Sequence, residues 1–245
     1  MKRVVCALFA VALTLGVGAA SGRADPGLSN NQMVVIKATG ATLQEGQIID
    51  GGAPLKLEAG AEVVLIGADG ATVTLSGPYN GEPAAARGDR VRSPNIVKAL
   101  GALLSSRKYS TASLGVVRSA DAGEMRLTSL PSPWVVDIEA SGPRCVRSDI
   151  VVLWRDDAAA ASTLTISRGG AALTAQADWA AGDNVLPLTS DRFRDGGRYS
   201  LDVDGRRIAV TFHMLPDGLT KIGQQAAWMA ESGCKEQALA LLDTL

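Results

Sequence analysis

Histidine and cysteine are scarce in this chain, with one and three copies in 245 residues, and aromatic side chains make up only 4% of it. A zinc site draws three or four ligands from Cys, His and acids, and no C-x-x-C or H-x-x-x-H spacing is present. No metal ligands are therefore expected, and His213 stands beside Phe212 with no nucleophile or orienting acid marked for it. A G-x-S-x-G elbow and a phosphate-cradling G-x-x-x-x-G-K-[ST] loop are both missing, so neither serine hydrolysis nor nucleotide binding is implied. The pairs Asp156-Asp157 and Asp202/Asp204 are carboxylates of the kind a glycosidase uses, but they fall in or near predicted turns, where turn geometry is their expected role. The sequence names no catalytic residue and no cofactor.

Long apolar runs are also missing, except at the start. Met1-Lys2-Arg3 is followed by the uncharged run Val4–Val17 and then by the small residues around Gly18–Ala24. These are the three regions of a cleavable secretory signal, residues 1–24. The apolar run is shorter than the roughly 20 residues that a spanning helix requires. Cleavage is expected after Ala24, with Ala20 as the alternative, and no membrane insertion is expected after it. Cys6 precedes the apolar core, where a lipoprotein cysteine would not stand. Removing Lys2, Arg3 and Arg23 makes the formal charge of −1 more negative, which excludes nucleic acid as the natural partner. Cys145 and Cys234 survive cleavage, and in an oxidising compartment two distant cysteines are expected to form one disulfide.

The 27 glycines and 10 prolines indicate many tight turns, and the fold class they imply is mainly β. Met33–Ala38 reads as a strand. From Gly46 onward, short alternating runs at Gln47–Ile49 and Pro54–Leu57 are separated by Asp50-Gly51-Gly52. Ala59-Gly60-Ala61-Glu62-Val63-Val64-Leu65 is then echoed by Asp69-Gly70-Ala71-Thr72-Val73-Thr74-Leu75, a repeating turn and strand. Together with Ser76-Gly77-Pro78, this text resembles the periplasmic FecR-type domain over residues 46–83. That family relays a periplasmic signal through a membrane helix to a sigma-factor-binding segment. Neither part is found here, so the resemblance implies a domain type and brings no catalytic residues.

Glu82–Pro94 reads as a surface loop; its Arg87-Gly88-Asp89 is a tripeptide that also occurs by chance. Apolar residues at 96, 97, 100, 103 and 104 predict a short helix after Ser93-Pro94-Asn95. Ser105–Ser132 reads as a polar connector with one weak strand at Leu114–Arg118. The first β domain is thus placed at 25–110 and the linker at 111–133.

A second set of runs begins at Trp134-Val135-Val136-Asp137-Ile138. It continues through Ile150–Trp154, Ser162–Ile166, Ala172–Thr174, Asn184–Leu188, Arg198–Val203 and Ile208–Phe212. Turn signals include Arg168-Gly169-Gly170, Ala181-Gly182-Asp183, Asp195-Gly196-Gly197 and Asp204-Gly205. The spacing predicts an immunoglobulin- or fibronectin-like β-sandwich over 134–215. Tyr199 is placed as a corner tyrosine, and Trp154 and Trp179 as core residues rather than a sugar platform. Residues 216–245 predict a helical hairpin, with Ile222, Ala226 and Met229 on one stripe, Gly233 after it, and Leu239 and Leu242 on a second helix. This hairpin is expected to cap the sandwich, with Cys145–Cys234 stapling it there. The function expected is exported, non-enzymatic binding, scaffolding or sensing in the cell envelope or beyond, with an envelope protein or a surface polymer as partner. The alternative is a secreted carbohydrate-active or other hydrolytic enzyme.

Overall fold

The computed structural model describes residues 31–83, 95–113, 130–168 and 172–245. The signal segment, Arg87-Gly88-Asp89, the strand expected at Leu114–Arg118 and Gly169-Gly170 lie outside the described residues. The described chain is mainly β, with a helical pair at its C-terminal end.

The first unit contains β1 (Gln32–Thr39), β2 (Ile48–Asp50), β3 (Leu55–Leu57), β4 (Glu62–Gly67), β5 (Thr72–Ser76) and β6 (Tyr79–Gly81). Its main sheet has the order β2-β1-β4-β5, and β3 pairs with β6 beside it. The sequence echo is the antiparallel β4–β5 hairpin, with Glu62 opposite Ser76 and Ile66 opposite Thr72. Its turn is shaped by Asp69, whose carboxylate accepts the Ala71 N–H at 3.0 Å, and by Gly70 at φ +80°. Successive strand side chains point to opposite faces. Val34, Ile36, Val64 and Ile66 therefore enter one core, while Met33, Val35, Val63 and Leu65 enter another with Leu57 and Ala61. A sheet covered on both faces explains why β4 reads as a near-continuous apolar run.

Three helices cover the first of those faces: α1 (Ile96–Ser113), α2 (Ile222–Glu231) and α3 (Lys235–Leu242). Their buried side chains, among them Leu100, Leu104, Met229, Leu239 and Leu242, share a core with β1 and β4. This corrects the expectation that the C-terminal hairpin caps the second β unit; periodicity identified the apolar stripe but not the sheet that buries it. The hairpin turn of β4–β5 receives the start of α2. Lys221 Nζ donates to the Asp69 carboxylate at 2.6 Å and Gln224 Nε2 to the Asp69 carbonyl at 3.2 Å. A Cβ at Gly223 would stand 2.6 Å from Ile66 Cγ2 and 2.7 Å from the Gly70 carbonyl. Helix α1 also runs past Leu104 to Ser113, into residues expected as connector.

The second unit, inserted between α1 and α2, comprises β7 (Val135–Asp137), β8 (Gly142–Val146), β9 (Ile150–Trp154), β10 (Ser162–Arg168), β11 (Ala172–Trp179), β12 (Val185–Thr189), β13 (Gly197–Val203) and β14 (Arg206–Met214). Two sheets, β11-β10-β13-β14-β8 and β12-β9-β7, enclose one core that includes Val136, Val151, Leu153, Leu164, Ile166, Leu201 and Phe212. Each such side chain contributes about 1.5–3 kcal/mol of burial. Phe193 packs edge-on against Tyr199 and Phe212, with centroids 5.3 and 5.0 Å away. The Tyr199 hydroxyl accepts the Arg194 N–H at 3.0 Å. Trp179 and Trp154 are buried, 1% and 8% exposed. The Arg155 guanidinium lies 4.8 Å over the Trp179 ring and donates to Asp183 O, Ser162 Oγ and Ala180 O.

Candidate functional site

The two units meet where β8 passes the start of α3. Cys145 on β8 and Cys234, which precedes α3, bring their sulfurs to disulfide distance, with Cα atoms 5.9 Å apart. Both side chains are buried. One turn further along α3 lies Gln237, 3% exposed. Its Oε1 accepts the Cys145 N–H at 2.8 Å. Its Nε2 lies 2.7 Å from the Cys145 carbonyl, 3.1 Å from that of Val135 and 3.0 Å from that of Pro133. One carboxamide thus meets both backbone polar groups of Cys145, as a neighbouring strand would, on the edge of β8 that faces away from β14. A buried backbone group left without such a partner costs about as much as a lost hydrogen bond.

Beside this contact lies a cleft of about 240 Å³, bordered by Val135, Asp137 and Gly142 from the second unit and by Gly233, Cys234 and Glu236 from the helical side. Arg144 lines it with its guanidinium turned inward, donating to the carbonyls of Asp137, Pro143 and Ala140 at 3.2, 3.0 and 2.6 Å. Burial lowers the Arg144 pKa, and the charges of Asp137 and Glu236 oppose that shift. The buried Asp137 carboxylate accepts the Glu139 N–H at 2.7 Å. Glu236 is half-buried. Desolvation raises its pKa, Arg144 pulls it back down, and Asp137 adds to the rise. Chemically, the cleft holds a buried and a half-buried carboxylate together with a guanidinium that is already occupied by carbonyls.

A second feature lies on the outward face of the β12-β9-β7 sheet. In the β9–β12 pairing, Ile150 stands opposite Thr189, Val152 opposite Pro187 and Trp154 opposite Val185. None of these outward positions is charged. Among the described residues three large apolar side chains are exposed, and two of them, Ile150 at 37% and Val185 at 47%, belong to this face.

The cysteine pair expected from sequence is brought together. The expected turn acids behave as turn residues: Asp157 accepts the Ala159 N–H at 2.8 Å and Asp202 the Gly205 N–H at 3.0 Å. Asp204 adopts φ 51° and accepts the Thr163 N–H at 3.1 Å. His213 stands opposite Cys145 in register on β14, but the Cys145 sulfur faces Cys234. Asp137, Arg144, Glu236 and Gln237 were not singled out in the sequence, where roughly a hundred residues separate the two halves of the cleft. The one signal that could have found them is Cys234, whose pairing draws Gln237 and Glu236 toward β8. No group of three or more His, Cys or acidic side chains among the described residues forms a metal site, and no described helix is long and apolar enough to cross a membrane. Comparison with family models, with curated proteins and with solved structures yields no match.

Proposed function

We propose that this chain is an exported, non-enzymatic binding or scaffolding protein of the cell envelope, docking a partner protein or surface polymer through its second β unit. The observation that carries this reading is the outward apolar face bearing Ile150 and Val185. Water covers it at a cost of roughly 25 cal/mol per Å² of apolar surface. The β9–β12 part of the face spans about 10 by 17 Å from strand spacing and rise, about 170 Å². A stable interface covers about 800 Å² on each partner, so the contact is transient or part of a larger assembly. Pro187 on the edge strand β12 lacks an N–H and discourages strand addition there, which favours docking on the face. The strand orders and the Tyr199–Arg194 bond support an immunoglobulin- or fibronectin-like second unit. The Gly-punctuated hairpin of the first unit supports its FecR-like reading, and with it a sensory role alongside a membrane partner. A photo-crosslinking residue at Val185, compared with one at Thr74 on β5, tests the docking face in envelope extracts. An adduct specific to position 185 is expected, on a chain whose mature mass begins at Asp25. Identical adduct patterns at both positions, or a chain retaining residues 1–24, would overturn the reading.

The cleft favours one other reading, a hydrolase in which Glu236 serves as general acid beside Asp137. Glu236 has the raised pKa that such an acid needs. Against it, the cleft's volume of about 240 Å³ is below the roughly 300–1,000 Å³ of most ligand pockets. Chromogenic glycoside and ester substrates decide the matter: turnover by the wild-type chain that Glu236→Gln abolishes would establish the hydrolase, whereas no turnover by either leaves binding as the function.

A further inference from the structure

Among the described residues, Cys145 is the one second-unit member of the buried core beneath the helices, and the second unit's own core draws nothing from the first unit or the helices. The two cores are therefore separate. They are joined, beyond the connecting chain, by the cysteine pair, the four contacts of Gln237, the close approach of Gly233 to Pro143, where an added Cβ would stand 3.0 Å from Pro143 Cγ, the packing of Trp134 against the helical core beneath the Arg147 guanidinium, and the attraction between Arg144 and Glu236. The polar part of this junction is small, one carboxamide and the Arg144–Glu236 attraction, and the covalent bond spans 89 residues of sequence. A cross-link over so long a loop removes much chain freedom, while neutral hydrogen bonds to a buried backbone contribute modestly each.

We infer that the junction is a redox-operated clamp: the disulfide fixes the second unit against the first, and a dithiol reductant releases it while both cores stay folded. The exchange balances as an ordinary thiol–disulfide reaction. One thiolate of the reductant attacks a protein sulfur and expels the other as a thiolate. The reductant's second thiolate then displaces the first protein sulfur, closing the reductant's own disulfide. Two electrons and two protons pass to Cys145 and Cys234. The cleft is the natural approach, because Cys234 and Gly233 form part of its wall. Once the bond is open, Gln237 is what remains on the Cys145 backbone groups, and the Cys145 N–H becomes the reporter of opening.

The test uses the full mature chain, oxidised or treated with dithiothreitol under native conditions, followed by amide hydrogen exchange and small-angle X-ray scattering. Expected on reduction is exchange at β8 and the first turn of α3 that is faster by roughly 30-fold or more, with the cores of β1–β4 and β10–β13 still protected and a larger, broader scattering envelope. Cys145→Ala/Cys234→Ala should reproduce that state without reductant. If the double variant does not fold, reduction of the folded wild type alone decides. Unchanged protection at β8 with complete thiol alkylation would overturn the clamp. So would loss of protection across both cores, which would make the bond a staple of the whole fold.

Discussion

Replacing Gln237 by leucine keeps most of the side-chain volume at the junction and removes its hydrogen bonding. Two buried groups of Cys145, its N–H and its carbonyl, lose the partner they have at 2.8 and 2.7 Å. A carboxamide has two N–H hydrogens, so Val135 and Pro133 share what Cys145 does not take. Each stranded buried group costs about 1–3 kcal/mol, giving a loss of roughly 2–6 kcal/mol. The added apolar surface of leucine returns on the order of 1 kcal/mol. The expected net loss is about 1–5 kcal/mol, measured by urea unfolding of the oxidised protein with an unchanged m-value. Gln237→Glu, ionised at neutral pH, retains an acceptor and loses the donors, so it should be at least as damaging as leucine and should recover in part at acid pH. A loss below about 1 kcal/mol for the leucine variant would mean that water replaces the carboxamide, and the junction would then owe little to Gln237.

Three further outcomes are expected. Gly223→Ala drives a Cβ into Ile66 and the Gly70 carbonyl, both under 3 Å away, and should cost about 1–3 kcal/mol in thermal melts. Tyr199→Phe removes only the bond to Arg194 and should cost about 0.5–1.5 kcal/mol, with near-ultraviolet circular dichroism preserved. Glu236 has a folded pKa raised above 4.5 by desolvation, so the folded state binds more protons there and stability falls as pH rises from 4.5 through the folded value. Glu236→Gln should flatten that decline and leave the protein at least as stable as wild type at pH 7; a steeper decline would show that its charge is stabilised in the fold.

The β4–β5 hairpin was legible because turn and strand signals coincide: Asp69-Gly70 stands between two runs that echo each other. Tyr199 and Trp179 were legible because large side chains in short strands have few places to go but inward, whereas Trp154 is buried on the other face of β9. Strand β8 was not, since Gly142-Pro143-Arg144 carries turn residues and its pairing comes from β14, where Val210 stands opposite Gly142. The length of α1 was hidden as well. Ser105, Ser106 and Arg107 offer no apolar stripe, and their support comes from elsewhere: the Ser106 hydroxyl bonds back to Leu103 O, and Arg107 pairs with Asp243 of the C-terminal segment at 2.9 Å. The cleft escaped because its charges are assembled by tertiary contact and leave no local pattern. The destination of α2 and α3 escaped because an amphipathic stripe identifies a face to be buried and says nothing of which sheet receives it.

That destination sets an order of events. The first unit is built from both ends of the described chain, with the second unit's strands lying between them in sequence. As synthesis proceeds from the N-terminus, the face of β1 and β4 formed by Val34, Ile36, Val64 and Ile66 is complete early but has only α1 to cover it. The second unit, contiguous from β7 to β14, has all its strands before α2 emerges. The inserted unit is thus able to mature while its host waits, half-covered, for the last helices. Nascent chains halted before α2 should bind holdase chaperones through the N-terminal sheet, and removing α3 should damage the part of the molecule farthest from it in sequence.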